Sequence, residues 1–325
     1  MPQPNSSNLH VSVPLTNVSV AYQRQQNWIA DKVFPIVPVM KQFDQYYRYN
    51  KGEWFRSVAE ERAPGTESVG SGWSTTTDTY AARVYAVHKD IDDQIRANTD
   101  AQFNLDRDAT EFITNDILLG REQNWFAKYW NTTTWATTAA GVTSTAPTGD
   151  AQVTQFNLGG DPVADIQRQR LRMKLLTGGY APNVMVVTPQ VDIALQQNLS
   201  IRDRIKYTQA GFVTPELLGA AFGMRYMVAD AVQNTAPEAT TDVSSMSFVA
   251  TEGVLLAYVP PNPGLQTLSA GYTFVWNGYL ANAFGTSVQK FRMEHIKSDR
   301  IEVESAYDLK VVASDCGLFI SDPLA

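Results

Sequence analysis

The residue types that carry chemistry are sparse in this chain, and they do not fall into working spacings. One cysteine, Cys316, lies in an apolar stretch over 311–319. It reads as a small buried hydrophobe, because a nucleophilic thiol needs a polarising neighbour to lower its pKa. Three histidines, His10, His88 and His295, are too scattered for a metal site. Glu294-His295 lacks the second histidine four residues away that a zinc protease requires. Asp90-Ile91-Asp92-Asp93 clusters carboxylates that could meet Mg²⁺ or Ca²⁺, but it lacks the Asp/Asn-plus-Gly pattern of a calcium loop. Acids that open a helix and complement its dipole explain that cluster better. Gly65 and Gly70 have the spacing of a phosphate loop, with Ser71 where lysine is needed. No Gly-x-Ser-x-Gly elbow is present. No catalytic, cofactor or metal residue is assigned, and an enzyme is not expected.

Composition points instead to covered surfaces. Of 325 residues, 44% are hydrophobic and only 18% are charged, with 7 Trp, 14 Tyr and 14 Phe. Low charge with many aromatics is the composition of surfaces buried by partners. The net charge of −7 and the lack of a polybasic block argue against sequence-specific nucleic-acid binding. They leave room for a wall that encloses nucleic acid. Residues 1–14 carry no basic start followed by an apolar run, so no secretory signal is read. No stretch approaches the ~20 apolar residues of a membrane span.

The elements that would position any surface follow from periodicity. Residues 11–15 and 18–22 alternate as strands, and 23–31 suits a short helix. Residues 36–39 and 44–49 read as the outgoing limb of a hairpin, and 79–88 as its returning limb. Between them, roughly 55–77, lies a polar excursion with too few apolar residues for a core of its own. A structureless arm of that length is unusual inside a compact domain, and it makes sense lying on another subunit. Its charges, with Arg48 on the outgoing limb and Arg56, Glu60, Glu61 and Arg62 in the excursion, are either solvated surface or partners for a neighbour's charges. The arm's length favours the second reading, and Trp73 joins them as a contact residue.

Asn104 caps the next helix, with Asp106 and Asp108 in its first turn. Leu105, Ala109, Phe112, Ile113 and Ile117 recur at helical spacing and Trp125, Phe126 and Tyr129 extend it to about Trp130, roughly 40 Å at 1.5 Å per residue. Residues 131–158, rich in Thr, Ala and Gly, read as a loop or insertion. Residues 161–176 form an amphipathic helix bearing Arg168, Arg170, Arg172 and Lys174, either a solvated face or a contact for DNA or an acidic neighbour. Then α/β alternation begins: a buried strand at 184–188, a helix at 189–197, and a helix opened by Thr214-Pro215 and closed by Gly223. Strands follow at 225–229, 248–250 and 254–258. After a rigid turn at 260–264 the chain is mostly β, at 272–276, 287–294, 300–304, 310–313 and 318–320.

This order of parts resembles the tailed-phage major capsid proteins of the Hong Kong 97-type fold. The phrases that carry the resemblance are Ala30-Asp31-Lys32-Val33-Phe34-Pro35, Arg96-Ala97-Asn98, Asp106-Arg107-Asp108-Ala109-Thr110-Glu111-Phe112, Val228-Ala229-Asp230-Ala231-Val232 and the run Ser298-Asp299-Arg300-Ile301-Glu302-Val303-Glu304-Ser305-Ala306-Tyr307-Asp308. The resemblance implies an α+β chain in five parts. These are an N-terminal arm (1–35), an extended hairpin loop (36–90), a peripheral domain with a long spine helix (91–179), an axial α/β domain (180–284) and a C-terminal β segment of the peripheral domain (285–325). It also implies self-assembly into hexamers and pentamers of an icosahedral shell, within a virion built in the host bacterial cytoplasm. The implied partners are other copies of the chain, packaged double-stranded DNA held without sequence preference, a portal protein, and scaffold and cement or decoration proteins. With about 30 residues before the hairpin, any scaffold is expected to be a separate protein. Some relatives cross-link through Lys and Asn; Lys51 lies near the loop, but nothing in the sequence assigns it that chemistry. An encapsulin-like compartment, or another virion component, is the alternative.

Overall fold

The computed structural model describes residues 27–99, 104–144, 147, 149–157, 159–206, 213–237, 245–264, 267–280 and 286–324. The expected strands at 11–15 and 18–22, and residues 23–26 of the expected helix, lie outside them; of the rest of that helix, 27–29 are not helical and the observed helix is the short turn Ala30–Val33. The described chain is organised by the spine helix Leu105–Tyr129. Asn104 Oδ1 accepts from Arg107 N at 3.1 Å, which satisfies one of the open N–H groups of the first turn. Twenty-five residues give about 37 Å of helix. Ile113, Ile117, Arg121, Trp125 and Tyr129, each four apart, form its buried stripe.

The two ends of this stripe serve two cores. Ile113 and Ile117 pack with Ile91, Ile301 and Val303 of a peripheral sheet. Trp125 and Tyr129 enter the larger core, where Phe34 lies 4.6 Å from Tyr129 between ring centroids. Among the described residues, the peripheral sheet runs β1 (Ile36–Val39), β12 (Gly271–Trp276), β14 (Ser298–Val311), β13 (Thr286–Met293), with β4 (Arg83–Asp92) on the other side of β14. The strands expected at 300–304 and 310–313 are one 14-residue strand. Buried Ser305, Ala306 and Tyr307 carry the ladder across the expected gap, and no Gly or Pro interrupts it.

The larger core is built on a mixed sheet of order β6 (Gln152–Thr154), β5 (Thr137–Val142), β15 (Gly317–Ser321), β11 (Val254–Ala257), β7 (Val184–Val187), β8 (Arg225–Val228). β7 and β11 are buried at every position, as continuous apolar strands covered on both faces must be. Helices Pro162–Thr177, Pro189–Gln197 and Pro215–Phe222 each begin with proline in the first turn, where its missing N–H costs nothing. Gly223, at φ 64°, ends the last of them in the left-handed conformation the sequence suggested. A small hairpin, β9 (Val232–Asn234) with β10 (Met246–Phe248), extends beyond this sheet.

Three expectations are corrected. Residues 131–158 are not simply a loop: Trp135, Thr137 and Ala139 point into the core, and β5 pairs in parallel with β15. β15 sits between β5 and β11 at the centre of the larger mixed sheet, although it lies within 285–325. Its four buried positions suit only a strand covered on both faces. β12 falls within 180–284, yet it pairs with β1 and β14 in the peripheral sheet.

The hairpin also differs from its expected limits. β2 (Phe43–Tyr49) pairs with β3 (Thr75–Ala81), from Phe43↔Ala81 to Tyr49↔Thr75. Ala82 breaks the returning limb, and β4 leaves to pair with β14. β1 likewise belongs to the peripheral sheet, so the projecting part is 43–81.

Candidate inter-subunit surfaces

The N-terminal part of the described chain is strapped to the middle of the spine helix. Ile29 N donates to both carboxylate oxygens of Glu122, at 3.0 and 3.1 Å, and Ala30 N donates to Oε2 at 2.9 Å. Glu122 therefore caps the short helix Ala30–Val33 from another element. It is fully buried, and burial raises its carboxyl to about 7 against the pull of the two N–H groups. Beside it Arg121, also buried, pairs with Asp31 at 2.8 Å and lies 5.0 Å above the Tyr307 ring. Lys32 O accepts from Arg225 at 2.6 Å. Glu122 and Arg121 are buried here, with Asp31, Lys32 and Arg225 at the rim, and the bonds made by Glu122 and Arg225 hold backbone. Asp31 falls in one of the phrases singled out in the sequence, but Glu122 and Arg121 do not. Their signal was present: Arg121 occupies a position four residues from both Ile117 and Trp125, on the apolar stripe itself.

The hairpin projects from the peripheral sheet. At its base Tyr80 stacks on Phe274 at 4.8 Å and Tyr46 lies 5.7 Å from the same ring. Asp78 pairs with Lys310 at 3.1 Å, and Ala81 N donates to Asp308 at 3.0 Å. Beyond β2, the helix Lys51–Trp54 leads into the excursion. Its neck is closed by Asn50 donating to Ser74 Oγ at 2.6 Å and by Glu53, which accepts from the Ser74 hydroxyl at 2.8 Å and from its N–H. Those Ser74 donors hold the Glu53 carboxyl below its usual range. Every residue from 54 to 77 is exposed.

The expected contact residues divide within this hairpin. Arg48 is 3.7 Å from Asp78, and Arg62 donates to Thr66 O at 2.5 Å, so both act partly inside their own chain. Arg56, Glu60 and Glu61 are exposed and make no ion pair among the described residues. Trp73 is 64% exposed, beside Trp54 at 57% and Phe55 at 62%. Trp73 and Trp54 both approach the Tyr49 ring, at 5.6 and 6.1 Å.

The basic helix is less available than its charge suggests. Arg168 donates to Gln152 O at 2.6 Å and pairs with Asp165, Arg170 donates to Phe222 O at 2.7 Å, and Arg172 donates to Thr138 O at 3.0 Å. These guanidiniums fasten the helix to its own sheet and to the end of the helix Pro215–Phe222. Lys174 is exposed. Leu171 and Leu175, one turn apart, also face outward, at 69% and 82% exposure.

Among the described residues no group of three or more His, Cys, Asp or Glu could hold a metal, and no helix is long and apolar enough to cross a membrane. Cys316 is buried, and burial pushes its thiol up to about 12.

No family model matches the chain. It is 26% identical over 312 residues to the major capsid protein of Burkholderia phage BcepMu, with 94% of each chain covered. Among solved structures it is similar to a phage-related protein from Bordetella bronchiseptica RB50 (TM-score 0.67, 20% identity, covering 93% of this chain and 94% of that one). It is also similar to the capsid structure of cyanophage P-SCSP1u (TM-score 0.64, 10% identity, 100% and 96%). The holo-SrpI encapsulin complex from Synechococcus elongatus PCC 7942 follows at TM-score 0.56, with 10% identity over 100% and 96%. The architecture is α+β and of the Hong Kong 97 type.

Proposed function

We infer that this chain is a tailed-phage major capsid protein, the repeating unit of a head shell that encloses the genome. The relative from phage BcepMu, matched along nearly the whole length, supports this reading. The observation that carries it is the stretch 54–77, exposed at every residue and bearing Trp54, Phe55 and Trp73. A chain working alone has no use for so long an arm with aromatics held in water, whereas a neighbour's surface would cover it.

In the shell, copies of the chain associate as hexamers and pentamers. The hairpin laps over an adjacent subunit, and the arm anchored at Glu122 reaches another. The axial sheet with its helices gathers around each capsomer centre, and the spine helix and peripheral sheet form the outer part. Grip comes from strand pairing and apolar burial. Arg56, Glu60 and Glu61 tune register, since exposed pairs contribute only ~0–1 kcal/mol each. Many modest contacts add up by avidity. The acidic balance suits a wall that encloses DNA without reading it, with Lys174 the most available cation of the basic helix. A portal protein joins the shell as a partner, and assembly takes place in the host bacterial cytoplasm.

Negative-stain microscopy of the expressed chain, together with the nucleic-acid content of purified particles, tests this reading. Closed shells with DNA at the head-filling stage support it. Shells that hold only protein cargo would favour the encapsulin-like alternative, which shares the fold.

A further inference from the structure

The hairpin touches its own subunit at two places of unequal character. The base contact is buried: Tyr80 and Tyr46 pack on Phe274, and Asp78 pairs with Lys310. The second contact lies at the far end of β2. Lys51 Nζ donates to Leu176 O at 2.6 Å and pairs with the Asp315 carboxylate. Next to it the tip of the Phe55 ring approaches Gly178. A β-carbon there would come within 2.1 Å of Phe55 Cζ, and Gly178 stands at φ +76°. This contact is open to solvent, with the Lys51 and Asp315 side chains 46% and 36% exposed. Ion pairs of that exposure are weak and screened by salt.

Between the two contacts the hairpin and the body face each other across open space. A groove of about 1090 Å³ separates them, lined by Tyr46, Tyr49, Trp54, Tyr180, Tyr272 and Phe274. Settled protein interfaces pack without gaps of this size. The hairpin is thus propped against its subunit: fixed at a buried base, held at a weak outer point, and unpacked in between. Ala82, where β3 ends and β4 begins, and residues 40–42, between β1 and β2, join the hairpin to the body, and Ala82 N donates to Gln42 O at 2.9 Å across that junction.

We propose that the contact of Lys51 with Asp315 and Leu176 is a latch that holds the hairpin against its own subunit before assembly and opens when the hairpin laps onto a second copy. This rests on the shell reading above. Opening frees Phe55 from its own body for the neighbour and exposes Gly178 and the Leu176 carbonyl. Because the latch is ionic and exposed, moderate salt should ease its release.

Carbodiimide coupling tests the latch, because it joins an amine to a carboxylate only when they touch. Free full-length subunits are treated to partial conversion and then set to assemble. Shells are separated from unassembled chain by sedimentation, and the 51–315 cross-linked peptide, lighter by one water, is quantified in each fraction. The locked form should be depleted at least tenfold from shells relative to the unassembled pool of the same mixture. Equal abundance in the two fractions would overturn the latch while leaving the shell reading intact. Failure of untreated chain to form shells under any condition would overturn both. A second variant, Lys51→Ala, removes an exposed side chain and should assemble several-fold faster than wild type at low salt. An unchanged rate would also count against the latch.

Discussion

Glu122 holds a carboxyl that the folded chain keeps protonated close to neutrality. Its folded pKa, about 7, lies above the ordinary 4.5 because burial penalises the charge. The raised value means the folded state holds the proton more tightly than the unfolded state does. The group's contribution is therefore full below about 4.5 and is lost as pH rises through about 7, a total of about 3 kcal/mol at 1.36 kcal/mol per unit. Denaturant titrations from pH 4.5 to 8 should show this decline in wild type and a flatter profile in Glu122→Gln, which keeps an acceptor for Ile29 N and Ala30 N. Glu122→Ala leaves both N–H groups buried and unpaired, and should lower stability by about 3 kcal/mol at ~1–3 kcal/mol per group. Neither effect was legible from charge patterning, because an acid between Arg121 and Gln123 looks like helix surface. The spacing that puts Arg121 on the Ile117–Trp125 stripe was the readable clue. Charge misled in the other direction at Arg168, Arg170 and Arg172, where sequence displays a basic face and folding turns the guanidiniums onto the chain's own carbonyls.

At the scale of elements, the start of the spine helix is clamped to the peripheral sheet by a network of ions. Asp106 meets Arg96 at 2.8 Å and Lys290 at 2.7 Å, Asp299 meets Arg96 at 3.0 Å, and Arg292 joins Asp299 at 3.2 Å and also pairs with Asp93. The bonds from Arg96, and next from Lys290, hold the Asp106 carboxyl at about 2, below the ordinary 3.8. A depressed pKa contributes stability above 3.8 that is lost as pH falls through 2. Asp106→Asn should thus remove part of the acid-dependent loss seen by circular dichroism between pH 4 and 2. At neutral pH it should lower stability by on the order of 1 kcal/mol, since the group is partly exposed and screened. The hairpin makes a different prediction. Residues 57–72 are exposed and none of them enters a core cluster among the described residues, so deleting them should leave the melting temperature within a few degrees of wild type and abolish particle formation. The spine helix was readable end to end, because a capping Asn104 and a stripe at helical spacing are local signals. The partners of strands were not. β5 hides in a Thr/Ala/Gly stretch, and β12 and β15 look alike as apolar runs although they serve different sheets. Strand pairing is decided by what each strand's faces meet, which no window of sequence contains.

For the whole molecule, the spine helix packs on both the peripheral sheet and the larger core, which Val275, Tyr307 and Leu309 of the peripheral sheet also enter, and among the described residues the hairpin and the Leu171–Leu175 face are open apolar surfaces. A chain with only 18% charged residues has the composition of surfaces that partners cover, and in the proposed shell those partners are copies of itself. Order of parts made the fold legible where single motifs did not. The direct measurement is electron microscopy of purified full-length chain and of the 57–72 deletion, side by side and at matched concentration. Closed shells of uniform size from the full chain, and folded subunits without shells from the deletion, are the predicted result. Normal shells from the deletion would contradict the role of the hairpin, and tubes or lone subunits from the full chain at every concentration would contradict the capsid assignment itself.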